Sequence, residues 1–65
     1  MNESMDDAQE VLVALRSKQR MSEYDLEKRL GGDPDRLYAA LDELDSLGYI
    51  HWENGEVILL KAGEL

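Results

Sequence analysis

The side chains that could do chemistry in this chain are few and dispersed along it. His51 is the only histidine, and the chain has no cysteine that it could activate. A general base needs a cleft and a nucleophile within hydrogen-bond reach, and the residues around His51 indicate neither. We therefore expect no enzymatic activity and no catalytic residue.

Carboxylates recur closely enough to raise the question of a metal site. Asp33-Pro34-Asp35 faintly resembles a calcium loop, but the glycine and the distal glutamate of such a loop fall out of register. Asp42, Glu43 and Asp45 are more simply a solvated helix face. Gly31-Gly32 indicates a helix stop rather than a phosphate-binding loop. We expect no metal, no cofactor and no small-molecule substrate.

The chain is strongly acidic. Fifteen acidic residues face seven basic ones, which gives a formal net charge of −8 over 65 residues. A field of this sign repels nucleic acid at long range. It can also reflect a need for solubility, or adaptation to high salt, so the charge alone leaves these explanations open beside an acid-driven choice of partner.

The basic residues form two groups that could contact phosphate. Arg16, Lys18 and Arg20 lie close together, and Lys28-Arg29 begin eight residues after Arg20. Each group is expected at a helix C-terminus, where cations are favoured for stability alone. The alternative is a modest basic patch that binds phosphate or an acidic partner. The possible nucleic-acid contacts are Arg16, Lys18, Arg20, Lys28, Arg29, Arg36 and Tyr38.

Length and composition limit the architecture to one domain. A core this small is commonly supplemented by a dimer or partner interface. The absence of cysteine fits a cytoplasmic protein. The N-terminal MNESMDD does not resemble a signal peptide, and no apolar run approaches the ~20 residues of a membrane span. We expect a cytoplasmic protein without membrane contact.

Three helices are predicted, over residues 6–18, 22–31 and 33–47, after a frayed tail at 1–5. Apolar residues at three- and four-residue steps give each helix a buried stripe. Asp6 or Asp7, Ser22 and Asp33 are suitable N-caps. Pro34 fits the first turn of the third helix, and Gly48 ends that helix.

A two-stranded hairpin is predicted over residues 49–61. Asn54-Gly55 lies between two runs rich in β-branched and aromatic residues, which is the strongest short-range hairpin signal. A two-residue turn pairs Glu53 with Glu56. Alternation then directs Ile50, Trp52, Val57 and Leu59 towards the helices.

The opposite face of the hairpin is the predicted protein interface, formed by Tyr49, His51, Ile58 and Leu60. Large apolar groups on one side of a two-stranded ribbon are usually buried against another segment or another protein. A second chain, the C-terminal tail or simple exposure all remain open. The outer strand, guarded only by Glu56 and Lys61, is expected to be an unpaired edge open to another strand. As a minor alternative, a bulge would turn Trp52 outwards.

This order of elements resembles the winged helix-turn-helix superfamily, in particular the small regulators of bacteria and archaea. The matching segments are Met21–Leu30, Leu37–Leu44, Leu47-Gly48-Tyr49-Ile50 and Val57–Gly63. The resemblance implies an α+β, mostly helical fold: a three-helix winged helix-turn-helix with a C-terminal two-stranded hairpin, the wing. It also implies a DNA-binding transcriptional regulator, usually a homodimer.

The positions that the resemblance directs at DNA carry mainly negative charge, which phosphates repel. The groove-facing positions would be Asp33, Asp35, Arg36, Tyr38, Ala39 and Asp42, and the wing tip would be residues 53–56. Binding to DNA depends first on Lys and Arg that neutralise phosphates. We therefore favour a winged-helix regulatory module, in transcription or another DNA transaction, that acts mainly through a homodimer or a protein partner. The alternative is a sequence-specific DNA-binding regulator, and DNA binding is expected to be weak if it occurs.

Overall fold

Side-chain caps begin each of the three helices in the computed structural model, which describes residues 6–64. The oxygens of Asp6, Ser22 and Asp33 accept hydrogen bonds from main-chain amides two or three residues further on. Such amides have no partner within the helix, so a cap stabilises its start. The helices are α1 (Asp7–Lys18), α2 (Glu23–Arg29) and α3 (Pro34–Ser46). The proposed frayed tail, residues 1–5, lies outside the described residues, as does Leu65.

The sheet has three antiparallel strands, one more than the sequence predicts. The strands are β1 (Arg20–Ser22), β2 (Ile50–Glu53) and β3 (Glu56–Leu59), in the order β1-β3-β2. Gln19 takes a left-handed φ of 72° between α1 and β1, which turns the chain into the strand. A strand of three residues has too little periodicity to be recognised, and pairing with β3 is what defines it.

The third strand corrects the prediction that the last strand of the hairpin is an unpaired edge. Arg20 lies opposite Ile58, and Met21 lies opposite Val57. β3 is therefore central, with β1 on one side and β2 on the other. The side proposed to accept a strand from another chain is already occupied by β1.

The register of the hairpin agrees with the prediction. Asn54 and Gly55 have φ values of 54° and 78°, the left-handed pair that a two-residue type I′ turn requires. No bulge intervenes, so the alternative in which Trp52 faces outwards is wrong. The cross-strand pairs are Ile50–Leu59, His51–Ile58, Trp52–Val57 and Glu53–Glu56.

The core lies between the three helices and the inner face of the sheet. Leu37, Leu41 and Leu44 of α3 are fully buried, and each such side chain contributes about 1.5–3 kcal/mol relative to an exposed one. Ile50 and Val57 meet them from the sheet. The other fully buried large side chains are Val11, Leu15, Leu26 and Leu30.

A short 3₁₀ turn, Lys61–Glu64, packs the chain after β3 back onto the domain. The carbonyl of Gly63 accepts a hydrogen bond from the Arg16 guanidinium at 3.4 Å. A Cβ on Gly63 would lie 2.7 Å from the Tyr49 carbonyl oxygen and 2.8 Å from Leu59 Cδ1. Only glycine fits there, and the turn covers part of Tyr49.

We expect Gly63→Ala to lower the free energy of unfolding by about 1–3 kcal/mol, because the added methyl overpacks a closed contact. Urea denaturation followed by circular dichroism measures the loss. Lys61→Ala in the same turn is the matched control, since an exposed substitution changes stability by about 0.5 kcal/mol or less. Equal stabilities of the two variants would contradict the packing at Gly63.

Candidate functional site

Arg36 is the only basic residue on α3, and its guanidinium is held by α1. Its Nε donates to Asp7 Oδ2 at 3.1 Å, and its Nη2 donates to Asp7 Oδ1 at 2.7 Å. Two parallel bonds of this kind fix orientation as well as distance. The one cation of α3 among the predicted nucleic-acid contacts is therefore committed to an intramolecular partner.

The pair shifts the pKa values of both partners towards their charged forms. The hydrogen bonds from Arg36, together with its charge, lower the pKa of Asp7 below its ordinary value of 3.8. The same bonds raise the pKa of Arg36, with further help from the charges of Asp33 and Glu10. Both side chains are partly exposed to water, so solvent screens the pair and its main effect is to orient Arg36.

We expect Arg36→Gln to return the pKa of Asp7 towards 3.8. Because the folded-state pKa is depressed, the pair adds stability above the unfolded value. That stability is lost as the pH falls through the folded pKa. A ¹³C NMR titration of the Asp7 carboxyl measures the shift. Lys18→Gln removes a cation elsewhere on α1 and should leave the pKa of Asp7 unchanged; equal pKa values in wild type and Arg36→Gln would show that the pair does not form.

Tyr38 joins α3 to the hairpin instead of standing free. Its ring stacks on Trp52 with centroids 5.8 Å apart and planes 19° apart. The Glu23 carboxylate accepts hydrogen bonds from the Tyr38 hydroxyl, at 3.4 Å, and from the Trp52 indole nitrogen. The Glu23 amide also donates to the Gly55 carbonyl at 2.9 Å. The start of α2, the middle of α3 and the hairpin thus meet at Glu23, through its carboxylate at Tyr38 and Trp52 and through its amide at the turn.

The surroundings of Tyr38 are negative. The charge of Glu23 is the largest cause of a raised pKa at the Tyr38 hydroxyl, followed by burial, the hydrogen bond to Glu23 and the charge of Glu27. The alternation of the hairpin residues predicts Trp52 on the inner face, but no pattern in the sequence points to Glu23. Glu23 is 29 residues from Trp52, and no local pattern connects them.

The exposed side of α3 displays carboxylates around Tyr38. Asp35, Asp42 and Asp45 are all exposed, as is Tyr38. Their spacing of three, four and three residues places the four within an arc of about 80°. Arg36 projects about 160° away from Tyr38 around the helix, towards Asp7. Asp33 caps α3 through the Asp35 amide.

The other predicted nucleic-acid contacts are also largely engaged within the domain. Arg16 donates to the Gly63 carbonyl, and Arg20 lies 3.9 Å from the Glu56 carboxylate. The Lys28 ammonium sits 4.6 Å from the ring centroid of Tyr24. Lys18 and Arg29 are exposed and have no ion-pair partner among the side chains that the structure describes, those of residues 6–63. The structure thus gives Arg16, Arg20, Lys28 and Arg36 contacts within their own domain.

The predicted interface on the outer sheet face is more polar than the hairpin alone suggests. Ile58 is half-buried, with Arg20 opposite it on β1 and His51 opposite it on β2. His51 Nε2 lies 2.6 Å from a Glu53 carboxylate oxygen. Leu60 is 38% exposed, and Tyr49 is half-buried beneath the C-terminal turn. The contact role of these four residues remains a prediction.

A shallow depression of about 210 Å³ on α1 is lined by Gln9, Leu12, Val13 and Arg16, and ligand pockets are usually about 300–1,000 Å³. Among the side chains that the structure describes, histidine and carboxylate groups do not gather in threes as a metal ion would need. No helix in that range is both long and apolar enough to cross a bilayer.

Comparison of the chain with family models, with curated proteins and with solved structures found no match.

Proposed function

We propose that this protein is a winged-helix regulatory module, in transcription or another DNA transaction, that acts mainly through protein contacts. The resemblance is supported by the order of three helices and a hairpin, and by the short turn between α2 and α3. At that turn, Gly31 and Gly32 adopt φ values of 79° and 78°. Glu23, at the start of α2, also connects the hairpin to α3, because its carboxylate accepts bonds from both Trp52 and Tyr38.

The observation that carries the proposal is the bidentate bond between Arg36 and Asp7. Reading DNA needs cations against the phosphates, and α3 directs its only cation into its own domain. The outward stripe of α3 contains Asp35, Asp42 and Asp45. Each of these carboxylates would be repelled and desolvated against a DNA backbone.

We expect no saturable binding of a labelled mixed-sequence DNA duplex at about 50 mM salt, a condition that favours phosphate contacts. Fluorescence anisotropy provides the measurement. Asp7→Asn, which releases Arg36, serves as the comparison and should give the stronger signal of the two proteins. The alternative, a DNA-binding regulator, is supported instead if wild type binds and affinity falls in both Lys18→Ala and Arg29→Ala.

Contact through the outer sheet face makes a separate prediction about self-association. We expect a dimer at high micromolar concentration that Leu60→Glu weakens, since the substitution buries a charge in an apolar contact. Light scattering measures the mass. Val13→Glu is the matched control, because Val13 is 48% exposed on α1. If wild type and both variants are monomers, the homodimer is excluded and the partner must be a different protein.

A further inference from the structure

One stripe of α3 combines a partly exposed aromatic ring with carboxylates and lacks a cation. This surface, the Tyr38 stripe, consists of Asp35, Tyr38, Asp42 and Asp45. All four residues are exposed, and they share one side of the helix because their spacing follows its turn. Within the described part of the chain, no basic side chain pairs with any of the three acids.

The Tyr38 ring is positioned before any partner arrives. Trp52 stacks on it and Glu23 accepts a bond from its hydroxyl, yet 45% of the residue is still exposed. A ring whose orientation is already fixed loses little conformational freedom on binding. Glu23 and Glu27 raise the pKa of Tyr38, which reports a negative local potential.

A second tyrosine shows what the ring of Tyr38 lacks. Tyr24 on α2 is 65% exposed and already has the Lys28 ammonium 4.6 Å from its ring centroid. Cations favour such positions because the face of an aromatic ring is negative. Among residues 6–64, no comparable cation lies over Tyr38.

We propose that the Tyr38 stripe docks an arginine-bearing, positively charged segment of a protein partner, an inference that rests on the proposed function. A guanidinium can stack on an aromatic ring and form paired bonds with a carboxylate. A lysine ammonium offers only a point charge there. The charge of the stripe disfavours nucleic acid. A second copy is a poor donor because it carries the same net charge of −8. Its Arg16, Arg20 and Arg36 already contact groups of their own chain, which leaves only Arg29.

The test uses a fluorescent peptide of alternating arginine and glycine, with a lysine–glycine peptide of equal length and charge. Anisotropy at about 50 mM salt should show tighter binding of the arginine peptide, and binding should weaken as salt screens the stripe. Equal affinities for the two peptides would overturn the proposal, because non-specific attraction to an acidic protein does not distinguish them.

Matched substitutions locate the contact on α3. Asp45→Asn should weaken binding of the arginine peptide more than Glu43→Gln. Both remove one exposed negative charge, but Glu43 lies about 140° around the helix from Tyr38. Tyr38→Ala should weaken binding roughly two- to five-fold, as expected for an exposed cation–π contact. Equal losses in Asp45→Asn and Glu43→Gln would overturn the site.

Further controls separate folding, self-association and the proposed function itself. Tyr38→Phe keeps the ring and should keep peptide binding, so loss of binding in a folded Tyr38→Phe protein counts against stacking. If Asp45→Asn changes the mass of the protein in light scattering but not its affinity for the arginine peptide, the stripe contacts a second copy of the chain instead. If neither peptide nor duplex binds, this inference fails while the proposed function stands. Duplex binding that needs Lys18 and Arg29 overturns both.

Discussion

The pairing of β1 with β3 holds the rest of this small domain in place. β1 is only three residues long, but it connects α1 to α2 and lies directly against the hairpin. Ser22 ends the strand and also caps α2, so the strand determines where that helix begins. Glu23 then reaches the hairpin turn through its amide and Tyr38 and Trp52 through its carboxylate. The exposed face of α3 owes its position to these connections.

The charge on the exposed side of α3 does not follow from the packing of its inner side. The inner side of α3 is a continuous leucine stripe, which is compatible with either sign of charge on the outer side. On that outer side, Arg36 turns towards Asp7 and carboxylates surround Tyr38. The packing of the helix and the charge that it presents are independent, because water solvates the exposed acids whatever lies beneath them.

The outer sheet face shows how a single extra strand changes a surface. For a two-stranded hairpin, Tyr49, Ile58 and Leu60 would form an apolar patch. In the three-stranded sheet, Arg20 joins this face beside Ile58, and the C-terminal turn covers part of Tyr49. Leu60 remains the most accessible apolar group of the three. The patch is smaller and more polar than the hairpin pattern indicates.

Local signals in the sequence determined much of the fold. N-cap residues located the starts of all three helices, the three- and four-residue spacing of leucines selected the buried side of α3, and Asn54-Gly55 set the hairpin register. Each signal works over a few residues, which is why the sequence alone sufficed. Only the tertiary structure decided that Arg20–Ser22 forms a strand, that Asp7 holds Arg36, and that Glu23 joins Tyr38 to Trp52. Those contacts join residues far apart in the chain, and only packing of the helices against the sheet brings them within bonding distance.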